Sequence, residues 1–333
     1  MLTHKKDISV LFLRSFSQPV IAAYIAMGLD AAEGINFKQY PHPLRSTKWE
    51  KLDNIYQADY ARSILQKNVL SREDATDKIV SGYFDLILLC DSSGELFRFN
   101  QLSIWGKIRN FLGQLKKIFK ESPVDIYKSV QYMRGSPLSI KQINTITPVS
   151  VIDLGDWTCL TKASQNILKD ISFYFKRELP YNRYQLYIPE RPEPWSYWKY
   201  NMIHQVKKVY NVPLGIEDNK YYGLKKIRYK YKDIDIFYCC NNSSTFRIKA
   251  EECLKRMSYD KKWNIVIDKH LPFEEYCQKM ARSKIAVSVS GGGWDCYRHY
   301  ESVALGSLPI IDRPEVDMIW WQPFADNIFL KKH

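Results

Sequence analysis

The sequence predicts an α/β protein of two domains, each built on a parallel sheet. Three observations carry that prediction. The chain has 333 residues, room for two domains of roughly 150 residues each. Short, unbroken apolar runs recur in both halves, the signature of strands buried on both faces. Helical stretches separate these runs, so the strands belong to βαβ units rather than to hairpins.

The elements follow in order. Ile8–Leu13 is an apolar run and reads as the first strand. Pro19 opens a helix that should close near Gly28, because Pro suits a first helical turn and Gly a helix end. Asp85–Cys90, Val149–Asp153 and Ile171–Phe175 are three further strands. Residues 179–216 interrupt the rhythm with Pro180, Pro189, Pro192, Pro194, Trp195 and Trp198. They read as the connection, which gives an N-terminal domain over 1–210 and a C-terminal domain over 211–333. Alternation then resumes. Strands are expected at Ile234–Cys239, Trp263–Ile267, Ile285–Val289 and Leu308–Ile311. The intervening helices are expected at Ser243–Met257, Phe273–Arg282 and Tyr297–Leu305. About 120 residues follow Ile216, toward the low side of domain sizes, so the second domain is expected to be truncated within or before its last helices.

Composition bounds the function. Lys and Arg outnumber Asp and Glu by 13, which favours anionic partners such as nucleic acid, anionic lipid or phosphorylated small molecules. The cations are spread along the chain, with denser spots at Lys116–Lys120 and Lys225–Lys232, so no single basic arm is expected. The seven cysteines form no C-x-x-C and no cluster with zinc spacing. A reducing cytoplasm is the simpler expectation. Arg14 breaks the first apolar run, unlike a signal peptide. Val20–Leu29 is too short for a membrane span.

The densest signal lies at Lys284–Pro314. A buried strand ends in Ser290, Gly291, Gly292 and Gly293, and a helix follows at once. Glycines permit positive φ and close backbone approach to a ligand. Amides at the helix start favour a phosphate. Arg298 and Glu301, three apart, share a helix face. The Arg can fork onto a pyrophosphate, and the carboxylate can accept both ribose hydroxyls. Arg247 follows Ser243, Ser244 and Thr245 at a helix start and is a further phosphate candidate. Plain readings stand beside these: a glycine loop, a surface ion pair and a solvated arginine.

This segment resembles the donor site of glycosyltransferases of the GT-B fold, in the group-1 and exostosin-like families. Their pattern is a small-residue loop, then Arg, two residues, Glu, and Ala-x-Gly-x-x-Pro. Here it falls on Gly291–Gly293, Arg298, Glu301, Ala304, Gly306 and Pro309. Phe273–Tyr276, Ser283–Ile285, Asp235–Phe237 and Asn241–Arg247 also look like the family, and Phe173–Glu178 resembles a segment of some bacterial members. The resemblance covers most of 233–314. It implies two Rossmann-like domains with parallel sheets facing a central cleft, a nucleotide-sugar held mainly by the second, and no required metal. The nucleotide-sugar is then a substrate, so no cofactor is expected. Many retaining members carry another Glu eight residues before the ribose-binding one. Here that position is Gly293, which leaves the stereochemistry open.

Other features are read more plainly. Asp233-Ile234-Asp235 has the D-x-D shape of metal-dependent transferases, but precedes its strand, where capping or edge polarity explains it better. A general base for an inverting reaction is sought at strand ends of the first half, among Asp91, Asp153 and Asp156, with Asp91 and Asp156 preferred. Ile104–Phe119 carries a helical apolar stripe with Lys107, Arg109, Lys116 and Lys117 off it. It is either a core helix with a wet face or a peripheral contact with anionic membrane that brings a lipid-linked acceptor. The expectation is therefore a cytoplasmic transferase of polysaccharide biosynthesis that moves a sugar from a nucleotide-sugar to a glycan or lipid-linked acceptor. A basic nucleic-acid-binding protein and a non-catalytic glycan-binding relative are the alternatives, although no nucleic-acid motif is present.

Overall fold

The structure, a computed structural model, describes residues 7–13, 19–40, 58–90, 140–155, 158–160, 162–181, 186, 208–216 and 218–312. Asp91, Asp156, the stretch 104–119 and most of 179–207 lie outside them. The chain divides into two compact units. One comprises Met1–Gly155, Leu160–Lys176 and Arg191–Tyr210, the other Asp156–Cys159, Arg177–Glu190 and Asn211–His333.

In the first unit, β1 (Ile8–Leu13), β2 (Ile35–Tyr40), β3 (Leu86–Cys90), β4 (Val149–Asp153), β5 (Phe173–Lys176) and β6 (Val209–Asn211) lie in the order β2-β1-β3-β4-β5-β6. β1 pairs in parallel with β2 and β3, and β3, β4 and β5 continue in parallel. Helices α1 (Pro19–Ala31), α2 (Ala58–Gln66), α3 (Arg72–Val80), α4 (Ile140–Ile146) and α5 (Lys162–Ile167) fall between strands. Helix α1 continues past Gly28, where the sequence predicted its end. It stops before Gly34, whose φ of 75° is the left-handed conformation that closes helices. Val10, Phe12, Phe37 and Leu88 form one core with Ala22, Ala23 and Ala26 of α1. The small α1 residues let the helix approach the sheet closely.

Asp153, at the end of β4, is a structural group. Its carboxylate accepts the Tyr174 hydroxyl at 2.7 Å and the Lys176 ammonium at 3.2 Å, both buried, and the part-buried Gly155 amide at 2.9 Å. A buried carboxylate without such partners would cost several kcal/mol.

In the second unit, β7 (Ile234–Cys239), β8 (Ile265–Asp268), β9 (Ser283–Val287) and β10 (Leu308–Ile310) form a parallel sheet in the order β10-β9-β7-β8. Helices α6 (Asp218–Lys225), α7 (Thr245–Tyr259), α8 (Phe273–Ala281) and α9 (Tyr297–Ala304) complete it. Phe237, Met280, Ala281, Ala286 and Ala304 pack into one core, and Ile236, Tyr238, Leu254 and Val287 into another. The chain runs outward from β7 to β8, then returns to build β9 and β10 on the other side. The strand order therefore reverses between β7 and β9. In open α/β sheets, ligands bind at that switch point, outside the carboxyl ends of the strands.

Candidate functional site

The carboxyl ends of β7 and β9 lead into Cys240–Ser244 and Ser288–Cys296, the second containing the glycine loop. Each loop feeds a helix, α7 and α9, so two helix N-termini converge on the switch point.

The loop is pinned along its length. The Ser290 amide and hydroxyl donate to Asp312 at 2.7 and 2.5 Å. The Ser290 carbonyl accepts the Ser244 hydroxyl at 2.8 Å, and Ser244 also caps α7. The Gly291 amide donates to the Gly293 carbonyl at 3.1 Å. None of Gly291, Gly292 and Gly293 is among the residues with positive φ, so the expected left-handed turn is absent. Their requirement is close approach instead. A Cβ on Gly291 would run into the Arg247 guanidinium, and one on Gly293 would lie 2.8 Å from Arg177 Nη2 and against Glu178 Oε1.

The phosphate cradle expected from the amides at the start of α9 is partly taken. Glu178 accepts the Trp294 and Asp295 amides, each at 3.1 Å, and Arg177 Nε at 3.2 Å. It is fully buried, and burial pushes its carboxyl above the usual range against the pull of Arg177 and the two amides. Asp295 in turn accepts the Tyr300 hydroxyl at 2.9 Å and the Leu214 amide at 2.7 Å. His299 sits beneath the loop between Ser288 Oγ at 2.8 Å and the Trp294 carbonyl at 2.9 Å. Burial lowers its pKa to about 4, so it is neutral near pH 7. It accepts from the Ser288 hydroxyl and donates to the carbonyl.

Arg247 is buried rather than solvated. It reaches Ser243 Oγ at 2.8 Å, the Asn241 carbonyl at 3.4 Å and the Val289 carbonyl at 3.5 Å. Arg298, half-buried, reaches from α9 to Cys240 Sγ at 3.0 Å, at the end of β7. Both guanidiniums therefore lie at the switch point. Among the described residues, neither has a carboxylate within ion-pair distance.

Glu301 is neither a surface partner of Arg298 nor a free carboxylate. It is buried, with Oε1 accepting Lys220 Nζ at 2.7 Å and Oε2 the Tyr276 hydroxyl at 2.9 Å. Burial and the carboxylate hold the Tyr276 phenol protonated. A carboxylate has about four lone-pair positions, so two protein donors leave capacity for ligand hydroxyls. Lys220 also lies over the half-exposed rings of Phe273 and Tyr297, at 5.4 and 5.7 Å.

The structure thus brings Ser290, Gly291, Gly292, Gly293, Arg247, Arg298 and Glu301 into one region of one unit. Asp91 and Asp156 lie outside the described residues. Lys220 joins the site without a signal in the sequence; Asp295, His299 and Asp312 lie within the signal segment without being singled out by it, and Tyr276 stands only in a stretch resembling the family. Lys220 comes from 81 positions upstream of its partner, a separation that no local spacing encodes. The D-x-D carboxylates lie elsewhere, at the opposite end of β7. Asp233 pairs with Arg282, and Asp235 with Lys284 at 2.6 Å and the Asn264 amide at 2.9 Å. Those donors hold both carboxyls below their usual range.

No protein-family model matches the chain, and no curated protein matches its sequence. Similar solved structures include a UDP-GlcNAc 2-epimerase from Neisseria meningitidis, solved with UDP-GlcNAc bound. It is 11% identical with a TM-score of 0.38, over 91% of this chain and 81% of that one. MurG of Acinetobacter baumannii is 8% identical with a TM-score of 0.34, over 97% and 91% of the two chains.

Proposed function

We propose that the second unit binds the nucleoside diphosphate of a nucleotide-sugar at the β7/β9 switch point, and that the chain is a metal-independent glycosyltransferase of GT-B type. The observation that carries this reading is the pair of guanidiniums, Arg247 and Arg298, gathered at the switch point without carboxylate partners among the described residues. Desolvated charges without counter-ions are costly. Two of them beside two helix N-termini suit a dianion. A diphosphate supplies that charge. Glu301, on the same helix face as Arg298 and fixed by Lys220 and Tyr276, then accepts the ribose hydroxyls.

The acceptor in this reading is a glycan or a lipid-linked glycan. Asp91 and Asp156 are its proposed general bases, and 104–119 its proposed contact with an anionic membrane. Among the described residues, no helix is long and apolar enough to cross a bilayer. Thermal melts against UDP, GDP, CMP and their sugar conjugates test the donor claim. A cognate ligand at a hundred times Kd stabilises by about 2.7 kcal/mol. A flat response to every nucleotide would remove the proposal.

A further inference from the structure

The buried carboxylate of Glu178 has no part in binding the ligand proposed above, yet the glycine loop is built around it. Its two oxygens take the two amides, Trp294 and Asp295, that lead into α9. The chain makes room for it by omitting a side chain at Gly293, where any Cβ would strike Glu178 and Arg177. The glycine there is not required by backbone conformation. It is required by the carboxylate. Arg177 Nε donates to that carboxylate at 3.2 Å and offsets part of the cost of its burial.

From this geometry we infer that Glu178, braced by Arg177, is the positioning residue of the glycine loop: an internal carboxylate that fixes the second half of the loop, and with it the start of α9, before any ligand arrives. The consequence reaches Arg298. That side chain lies in the first turn of α9 and reaches the end of β7 only while the helix start is held in place. The loop has other tethers, at Val289 through Arg247 and at Ser290 through Asp312 and Ser244. Those hold its first half. The Trp294–Asp295 half depends on Glu178, together with the Asp295 side chain on Tyr300 and Leu214 and the Trp294 carbonyl on His299.

The consequence for binding rests on the donor-site reading, and the sign of the effect distinguishes positioning from electrostatics. Removing a negative charge close to an anion site should by itself tighten anion binding. A positioning carboxylate predicts the reverse.

The test compares wild type with Glu178→Gln, which keeps the shape and removes the charge and one acceptor oxygen. Hydrogen–deuterium exchange of the peptide covering 288–297, without ligand, should accelerate about ten-fold or more, while peptides from β7 and β9 stay protected. Calorimetry with UDP and GDP should show affinity falling about ten-fold or more. Gly293→Ala, which displaces the same carboxylate, should produce both effects, and the double variant should be no worse than either alone. Unchanged loop exchange in Glu178→Gln overturns the inference. So does unchanged or tighter nucleotide binding alongside wild-type affinity for UDP or GDP. Wild type that binds neither nucleotide would remove the donor-site reading alone, and the exchange comparison would still decide the role of Glu178.

Discussion

Replacing Arg298 with Met separates a ligand-binding arginine from a structural one. In the ligand-free protein, its described hydrogen bond is to the Cys240 thiol at 3.0 Å, a weak acceptor. Met has similar length and fills the same space, so packing changes little. The variant loses a half-buried charge that lacks a carboxylate partner among the described residues, and removing such a charge is neutral or stabilising. The stability cost is therefore expected to be under about 0.5 kcal/mol, with a gain allowed. Binding should behave otherwise. A charge-assisted hydrogen bond to a phosphate contributes about 1.5–3 kcal/mol, which is roughly ten- to a hundred-fold in Kd. Calorimetric titration with the cognate nucleoside diphosphate reads the second quantity, and urea denaturation the first. A variant that loses more than about 1 kcal/mol of stability with an unchanged Kd would refute the reasoning, because Arg298 would then be a scaffold residue.

Other expectations follow from the same geometry. Glu301→Ala leaves the Lys220 ammonium and the Tyr276 hydroxyl unpartnered, so it should cost about 3 kcal/mol in stability as well as weaken donor binding. A Lys220→Met, Glu301→Ala cycle by urea denaturation should show coupling of at least about 1 kcal/mol, and strict additivity would contradict the buried pair. His299, whose pKa falls from 6.5 in the unfolded chain to about 4 on burial, gives stability that is full above pH 6.5 and is lost as pH falls toward 4. That shift corresponds to about 3 kcal/mol. Melts from pH 7 to pH 4.5 should show this loss in wild type and a shallower one in His299→Gln, and parallel curves would exclude His299 as its source. Nucleotide affinity should survive EDTA, since Asp233 and Asp235 are engaged by Arg282 and Lys284 at the far end of β7. Loss on chelation with recovery in manganese would contradict this.

Much of the fold could be read directly. The apolar runs Ile8–Leu13, Val149–Asp153 and Ile234–Cys239 are strands with those bounds, because strands buried on both faces announce themselves by composition. Ile35–Tyr40 escaped because it is the edge strand β2 and carries Asn36, Lys38 and Gln39. Gln39 is nonetheless buried, its amide donating to the Ile64 and Lys67 carbonyls at 2.7 and 2.6 Å. The short helix Ile140–Ile146 and the strand Val209–Asn211 were too brief to show a period. At the candidate site, the local pattern from Ser290 to Glu301 was legible because glycines, Arg and Glu sit on consecutive elements. What surrounds them was not. Glu178 and Lys220 reach the loop and α9 from 116 and 81 positions away. The helix-start amides that local reasoning offered to a phosphate are bonded by a carboxylate that only the tertiary fold delivers.

The most direct test of the central claim is turnover of a panel of nucleotide-sugars, reading release of the free nucleoside diphosphate by mass spectrometry with and without a glycan acceptor. The account predicts release from one nucleotide class, faster with acceptor, abolished or strongly reduced in Arg298→Met, and insensitive to EDTA. Absence of binding and release across the whole panel, together with DNA or RNA binding that weakens steeply with salt, would contradict it and leave the excess positive charge serving a polyanion instead.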